Sequence, residues 1–67
     1  MKINRIFAEI VEQKGIKQAY LAEKTGMSAD MISKILRGER RIMADEFLTL
    51  CEVLEVSPEL FRASKVA

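Results

Sequence analysis

Four basic side chains in the middle of the chain could together neutralise a polyanion. They are Lys34, Arg37, Arg40 and Arg41. Lysine and arginine donate hydrogen bonds to phosphate oxygens, and a lysine amine can also reach O6 or N7 of guanine. These residue types at this spacing point to contact with a nucleic acid. The plainer alternative for the Arg40-Arg41 pair is a solvated loop surface.

Asp30 precedes this basic cluster and carries the opposite charge. Three roles are open for it. A carboxylate in the first turn of a helix is stabilised by the positive end of the helix dipole. It can also accept a hydrogen bond from N4 of cytosine. Finally, it can repel a wrong nucleic-acid sequence without bonding to the right one.

Residues for catalysis or metal binding are scarce in this sequence. It contains no histidine, and Cys51 is the only cysteine, so a Cys/His zinc site is excluded. Cys51 falls on an apolar helix face, which predicts core packing rather than a nucleophile. A phosphate-cradling glycine loop is also missing. We therefore expect no enzyme activity, no cofactor and no small-molecule ligand.

The composition indicates a single compact, mainly helical domain over residues 1–67. Apolar residues make up 49% and charged residues 31%, with only three glycines and one proline. The longest apolar run, residues 19–22, is too short for a membrane span or a signal peptide. One unpaired cysteine fits a reducing compartment, so we expect a cytoplasmic protein without a membrane partner.

Charge is unevenly distributed along the chain, although the net charge is only +1. Residues 1–44 carry nine Lys/Arg and five Asp/Glu, a balance of +4, whereas residues 45–67 carry two and five, a balance of −3. Such a distribution suggests that one side meets a polyanion. Chance in a short chain is the alternative explanation.

Apolar spacing and helix stop signals predict five helices. The predicted ranges are 3–14, 18–25 and 29–37, a fourth helix that begins near residue 45, and 58–63 with a frayed tail from residue 64. Gly15, Gly26 and Gly38 are the expected C-terminal stops, and Ser28 and Ser57 are the expected N-caps. The apolar face of the first helix is predicted to comprise Ile3, Ile6, Phe7, Ile10 and Val11.

The second and third helices are separated by only three residues and must therefore cross steeply. Ala22 is small enough for a close approach, and Gly26 tolerates the positive φ that a tight turn requires. Ile32 and Ile35 can anchor the third helix to the core, which leaves its other face exposed. This is a helix-turn-helix arrangement over about residues 18–37.

Two segments of the chain resemble the phage-repressor and Cro-like (XRE-type) helix-turn-helix regulators. QAYLAEKTGMSADMISKILRG resembles the helix-turn-helix of that family, and LCEVLEVSPELF resembles its fourth and fifth helices. The resemblance covers about residues 5–62. It implies an all-α, compact five-helix bundle, a lambda-repressor-like DNA-binding domain that places its third helix in the major groove.

The resemblance also implies roles for individual residues. The residues expected to face base edges are Ala29, Asp30, Ser33 and Lys34. Those expected to bind phosphates are Lys17, Gln18, Ser28, Arg37, Arg40 and Arg41. Ser33 has an alternative, because a serine within a helix can bond to its own backbone.

The chain departs from the family pattern at three places. Lys17 stands where many members have a threonine or asparagine cap, so the second helix is expected to be less well capped. Ala29 and Asp30 replace the Gln, Asn or Arg that is common early in the third helix. This leaves few strong donors to bases. The proline that often precedes the fourth helix is also missing.

These features together lead to two hypotheses about function. The first is a sequence-specific double-stranded DNA-binding transcriptional regulator, a repressor on a two-fold symmetric operator. Such a regulator is expected to be a homodimer, and Val56, Leu60 and Phe61 are more apolar residues than one short helix needs for docking. The second is an antitoxin or another protein-interaction module on the same fold, favoured by the acidic C-terminal part and the weak donor set.

Overall fold

The computed structural model describes the backbone of residues 2–66 and the side chains of residues 2–62. Five α-helices and no strand occur in the described range. The helices are α1 (Lys2–Lys14), α2 (Gln18–Thr25), α3 (Ala29–Leu36), α4 (Ala44–Leu54) and α5 (Glu59–Val66). The predicted all-α, five-helix bundle is confirmed, and none of these helices has the length and apolar content to cross a membrane.

The predicted helix boundaries agree closely with the structure except at the C-terminal end. The range of α2 is as predicted, whereas α3 ends one residue early because Arg37 serves as its C-cap. At the other end, α5 begins at Glu59 and continues to Val66, three residues beyond the predicted end. Side chains from residue 63 onward lie outside the described part of the chain, and fraying of the tail stays a prediction.

The core is built from apolar side chains of all five helices. Those with at most 8% of their surface exposed are Phe7, Ile10, Val11, Leu21, Ile32, Ile35, Leu50, Cys51, Leu54 and Phe61. Three aromatic rings join α1, α4 and α5: the centroid of Phe7 lies 4.7 Å from Phe61 and 5.8 Å from Phe47. Burial also raises the pKa of the Cys51 thiol, which agrees with the packing role predicted for it.

The inner face of α1 differs from the prediction at its first turn. Ile3 is 42% exposed, and Asn4, with 1% exposed, takes the inner position instead. The Asn4 amide nitrogen donates to the backbone oxygens of Ile35, at 2.8 Å, and of Arg40, at 2.9 Å. The last carbonyls of a helix lack partners within it. A polar residue of α1 is therefore buried where α3 ends.

The C-terminal end of α4 contains a strained residue. Glu55 is its C-cap and adopts the left-handed conformation, with φ 59° and ψ 45°. A side chain with a Cβ is disfavoured there by roughly 1–2 kcal/mol. Gly26, which has φ 79° at the end of α2, accepts the same conformation without this penalty.

Replacing Glu55 by glycine is expected to stabilise the protein. The free energy of unfolding should rise by about 0.5–1 kcal/mol, because the greater freedom of glycine in the unfolded chain offsets part of the relieved strain. Urea denaturation measures the change. The matched control is Glu52→Gly in the interior of the same helix, which should lower stability by about 0.5–1 kcal/mol. A destabilising E55G would contradict this account of the C-cap.

Candidate nucleic-acid interface

The turn between α2 and α3 is held by local hydrogen bonds. The backbone N–H of Gly26 donates to the oxygen of Ala22 at 3.1 Å. The Thr25 hydroxyl donates to the oxygen of Leu21 at 2.6 Å and accepts from the N–H of Met27 at 3.2 Å. The sequence reasoning missed this role of Thr25, although a threonine four residues after Leu21 is well placed to bond back to its carbonyl.

The N-terminus of α3 is capped as the sequence predicts. The Ser28 hydroxyl accepts a hydrogen bond from the N–H of Met31 at 3.1 Å. Ile32 and Ile35 are each only 1% exposed and fix α3 against the core. The opposite side of the helix is therefore available to a ligand.

The four residues expected to face base edges share the outer side of α3. Ala29, Asp30 and Lys34 are exposed, and Ser33 is half-buried. Positions 29, 30, 33 and 34 fall on one face because residues four apart lie one above the other on a helix. The structure thus brings these side chains together, whereas their contact with bases stays a prediction.

Asp30 and Lys34 form an ion pair across one turn of this face. The Lys34 Nζ lies 3.2 Å from Asp30 Oδ2, with 48% of the Lys34 side chain and 73% of the Asp30 side chain exposed. Ser28, not Asp30, supplies the side-chain cap of the helix. The Asp30 carboxylate is still favourably placed near the positive end of the helix dipole, but the group that it contacts directly is Lys34.

Arg37 carries the next ion pair, just beyond the end of α3. Its Nη2 atom lies 3.2 Å from Glu39 Oε1, and both side chains are more than half exposed. An exposed pair of this kind is weak, with a typical contribution of about 0–1 kcal/mol. Arg37 can therefore leave Glu39 for a phosphate at little cost.

Arg40 is held much more firmly than its position in a loop suggests. Its two terminal nitrogens donate to the two carboxylate oxygens of Glu46 at 2.8 and 3.0 Å. Glu46 also accepts a hydrogen bond from the backbone N–H of Met43 at 2.9 Å, which gives this N–H at the start of α4 a partner. These hydrogen bonds raise the pKa of Arg40 and lower that of Glu46. Arg40 thus shapes the loop, and its predicted phosphate contact would require it to share or leave Glu46.

Besides Ser28, which caps α3, three predicted phosphate-binding residues have no carboxylate partner among the described residues. They are Lys17, Gln18 and Arg41, and each is exposed. Lys17 occupies the N-cap position of α2 without a side-chain cap hydrogen bond, so the weaker capping predicted for this helix is confirmed. Among the side chains that the structure describes, none accepts a hydrogen bond from the N-terminal N–H groups of α2.

The buried Asn4 is a functional candidate that sequence reasoning missed. By bonding to both Ile35 and Arg40, it ties the end of α3 and the start of the following loop to α1. Its Oδ1 atom is buried and accepts no hydrogen bond from the described residues. Asn4 is three residues before Phe7 and seven before Val11, a spacing that marks the inner face of α1.

The three residues expected at a dimer surface have different environments. Leu60 is 46% exposed and Val56 is half-buried. Phe61 is only 7% exposed, and its ring packs at 4.7 Å from Phe7 and 5.0 Å from Phe47. Phe61 therefore belongs to the core of its own chain. The surface predicted for a second copy is reduced to Leu60 and part of Val56.

Removing the charge of Glu46 is expected to destabilise the protein in a pH-dependent way. Because the pKa of Glu46 is lowered in the fold, its ionised form favours folding at neutral pH. E46Q should therefore lower the free energy of unfolding at pH 7. The gap to wild type should begin to narrow below the usual glutamate pKa of about 4.3 and should close as the pH falls through the lowered pKa of Glu46 in the fold.

Urea denaturation at pH 7 and at pH 3 tests this expectation. E52Q is the matched control, because Glu52 is exposed on the same helix and forms no ion pair among the described residues. It should change stability little at either pH. If E46Q is as destabilising at pH 3 as at pH 7, lost packing rather than lost charge would explain the effect.

The comparison with known protein families agrees with this geometry. A family model described as Helix-turn-helix matches residues 7–61, a range that includes all of α2, α3 and α4. Comparison with curated proteins and with solved structures gives no significant match. The matched range also contains the capped turn, the exposed side of α3 and the basic loop. The chain therefore belongs to the XRE-type family of helix-turn-helix DNA-binding regulators.

Proposed function

We propose that the protein is a sequence-specific transcriptional repressor that inserts α3 into the major groove of a two-fold symmetric operator. The observation that carries this proposal is the anchoring of α3 by Ile32 and Ile35, which leaves Ala29, Asp30 and Lys34 exposed together. An α-helix with its side chains is about 10–12 Å across, which suits a major groove about 12 Å wide. Bound there, the protein would block polymerase sterically.

Phosphate contacts on both sides of α3 would fix the register of the protein on DNA. On one side, the α2 N-terminus has no side-chain cap and can donate backbone N–H groups to a phosphate. The exposed Lys17 and Gln18 lie at the same place and can add side-chain contacts. On the other side, Arg37 and Arg41 follow the helix.

A homodimer is the form that a two-fold symmetric operator requires. Half-sites of such operators lie about 34 Å apart, one turn of the duplex. The exposed Leu60 and the half-buried Val56 support a contact near α5. We place the protein in the cytoplasm, where its single thiol would stay reduced.

A second candidate function, binding of a partner protein, is favoured by an apolar groove at the start of α1 and α4. Its lining consists of Ile3, Ile42, Ala44, Phe47 and Leu48. Leu48 is 59% exposed, and Met43, the N-cap residue of α4, is 58% exposed. An antitoxin or similar module would bind a partner protein here. Co-purification with the product of an adjacent gene, lost in Leu48→Asp but not in Leu60→Asp, would support that role.

Selection of bound DNA from a random duplex pool tests the repressor proposal. We expect a palindromic motif whose half-sites lie about one helical turn apart. A transcription assay on a promoter that contains the motif should then show repression. Recovery of no common motif would overturn the proposal, and a motif without palindromic symmetry would overturn the homodimer.

Replacing Arg41 by alanine is expected to weaken binding to all DNA sequences alike. Arg41 has no ion pair in the described part of the chain, so nothing needs to be broken before it contacts a phosphate. The slope of log K against log salt should become shallower by about 0.9 per protomer. Fluorescence anisotropy at several salt concentrations measures it.

Arg62→Ala is the control for this experiment. Arg62 lies on α5, where it pairs with Glu59 at 3.7 Å. Its loss should leave the salt dependence unchanged. Equal effects of R41A and R62A would argue against a phosphate contact at Arg41, and a wild-type affinity that does not vary with salt would argue against the proposed DNA interface as a whole.

A further inference from the structure

We propose that Asp30 and Lys34 act together as a reader of one C·G base pair, with Asp30 accepting from cytosine N4 and Lys34 donating to guanine O6 and N7. The inference rests on the proposed insertion of α3 into the major groove. In this role Asp30 determines specificity, because it favours binding to one base pair and opposes binding to other DNA sequences.

The ion pair lies at the end of α3 that is suited to base contact. In helix-turn-helix proteins the N-terminal residues of the recognition helix approach the base edges. Asp30 is the second residue of α3, and Lys34 lies one turn further. Within the described residues, Lys34 is the only group bonded to the Asp30 carboxylate, which is 73% exposed. Its remaining acceptor positions are therefore open to an external donor.

The spacing of the two charges matches the spacing of polar atoms on a C·G pair. Cytosine N4 and guanine O6 are hydrogen-bonded to each other, so they lie about 3 Å apart at the major-groove edge. The Asp30 carboxylate oxygen and the Lys34 nitrogen are 3.2 Å apart. Asp30 can face the N4–H donor while Lys34 faces the O6 acceptor. The ion pair does not have to break when this base pair is bound.

Other base pairs fit this charge pair less well. In the reversed orientation, Asp30 would face guanine O6 and N7, and Lys34 would face the N4–H donor, so both contacts become repulsive. An adenine in place of cytosine still offers an N6–H donor, but it also puts its N7 acceptor near the carboxylate. The paired thymine offers Lys34 one acceptor and a methyl group, where guanine offers two acceptors.

Contacts with phosphates are also opposed by the same pair. Lys34 must leave Asp30 to neutralise a phosphate, and the freed carboxylate then faces the polyanion. The Arg37–Glu39 pair has the same 3.2 Å separation but lies beyond the end of α3. Glu39 is therefore a matched control, because it is a similarly paired carboxylate outside the proposed base-reading face.

Selection from a random duplex pool with wild type, D30N, K34M and E39Q tests the inference. Wild type should recover one C·G pair at a fixed place in each half-site. D30N and K34M should each lose the preference for this C·G pair, with discrimination at that position reduced roughly 5- to 150-fold. E39Q should recover the wild-type motif.

Binding to DNA without the motif provides a second measurement. D30N releases Lys34 to neutralise a phosphate, so its non-specific affinity should rise and its salt slope should steepen by about 0.9 per protomer. E39Q frees Arg37 in the same way, so its non-specific affinity should also rise, but it should keep the wild-type motif, and only D30N should change both. The pair is exposed and adds little to folding, so D30N and K34M are expected to fold, which circular dichroism verifies.

The outcomes separate this inference from the repressor proposal. If wild type recovers no motif, the repressor proposal fails. If wild type recovers a motif and D30N recovers the same one, the repressor proposal stands and the reading role of Asp30 is overturned. Loss of the same preference in E39Q would also overturn it, because Glu39 lies outside the base-reading face.

Discussion

The side chain of Asn4 holds together the point at which α1, α3 and the following loop meet. The hydrogen bonds from its amide nitrogen to the backbone oxygens of Ile35 and Arg40 fix the backbone of the loop. From this loop the Arg40 side chain reaches Glu46. Glu46 in turn bonds to the N–H of Met43 and begins α4. One short chain of contacts thus links α1 to α3 and α4. In a small domain with a limited core, such buried polar links have a large influence on the relative positions of helices.

The basic surface near α3 is largely balanced by nearby carboxylates. Lys34, Arg37 and Arg40 each have a carboxylate oxygen within 3.2 Å. These pairs differ in strength, because two are exposed and the third is bidentate and partly buried. The basic side chains therefore differ in how easily they can bind a phosphate: Arg41 is the most available and Arg40 the least.

The sequence predicts the helices and the turn well because their causes are local. Apolar periodicity and the residues Gly26 and Ser28 suffice for α2, α3 and their connection. The inner position of Asn4 fits the periodicity of α1, but its hydrogen bonds could not be predicted in this way, because the carbonyls that accept them are more than thirty residues away. The pairing of Arg40 with Glu46 depends likewise on the path of a loop. Of the neighbours Leu60 and Phe61, periodicity alone does not say which one enters the core.

The buried Cys51 can report on local unfolding of the protein around α4. A thiol reacts as its thiolate, and burial both raises the pKa of this group and shields it from solvent. As the only cysteine in the chain, it yields a single alkylation product. The alkylation rate in native buffer therefore reflects the fraction of molecules in which α4 has separated from the core. DNA that binds only the folded form would slow the alkylation. The fraction of protein bound to DNA can therefore be followed by measuring the mass of the protein.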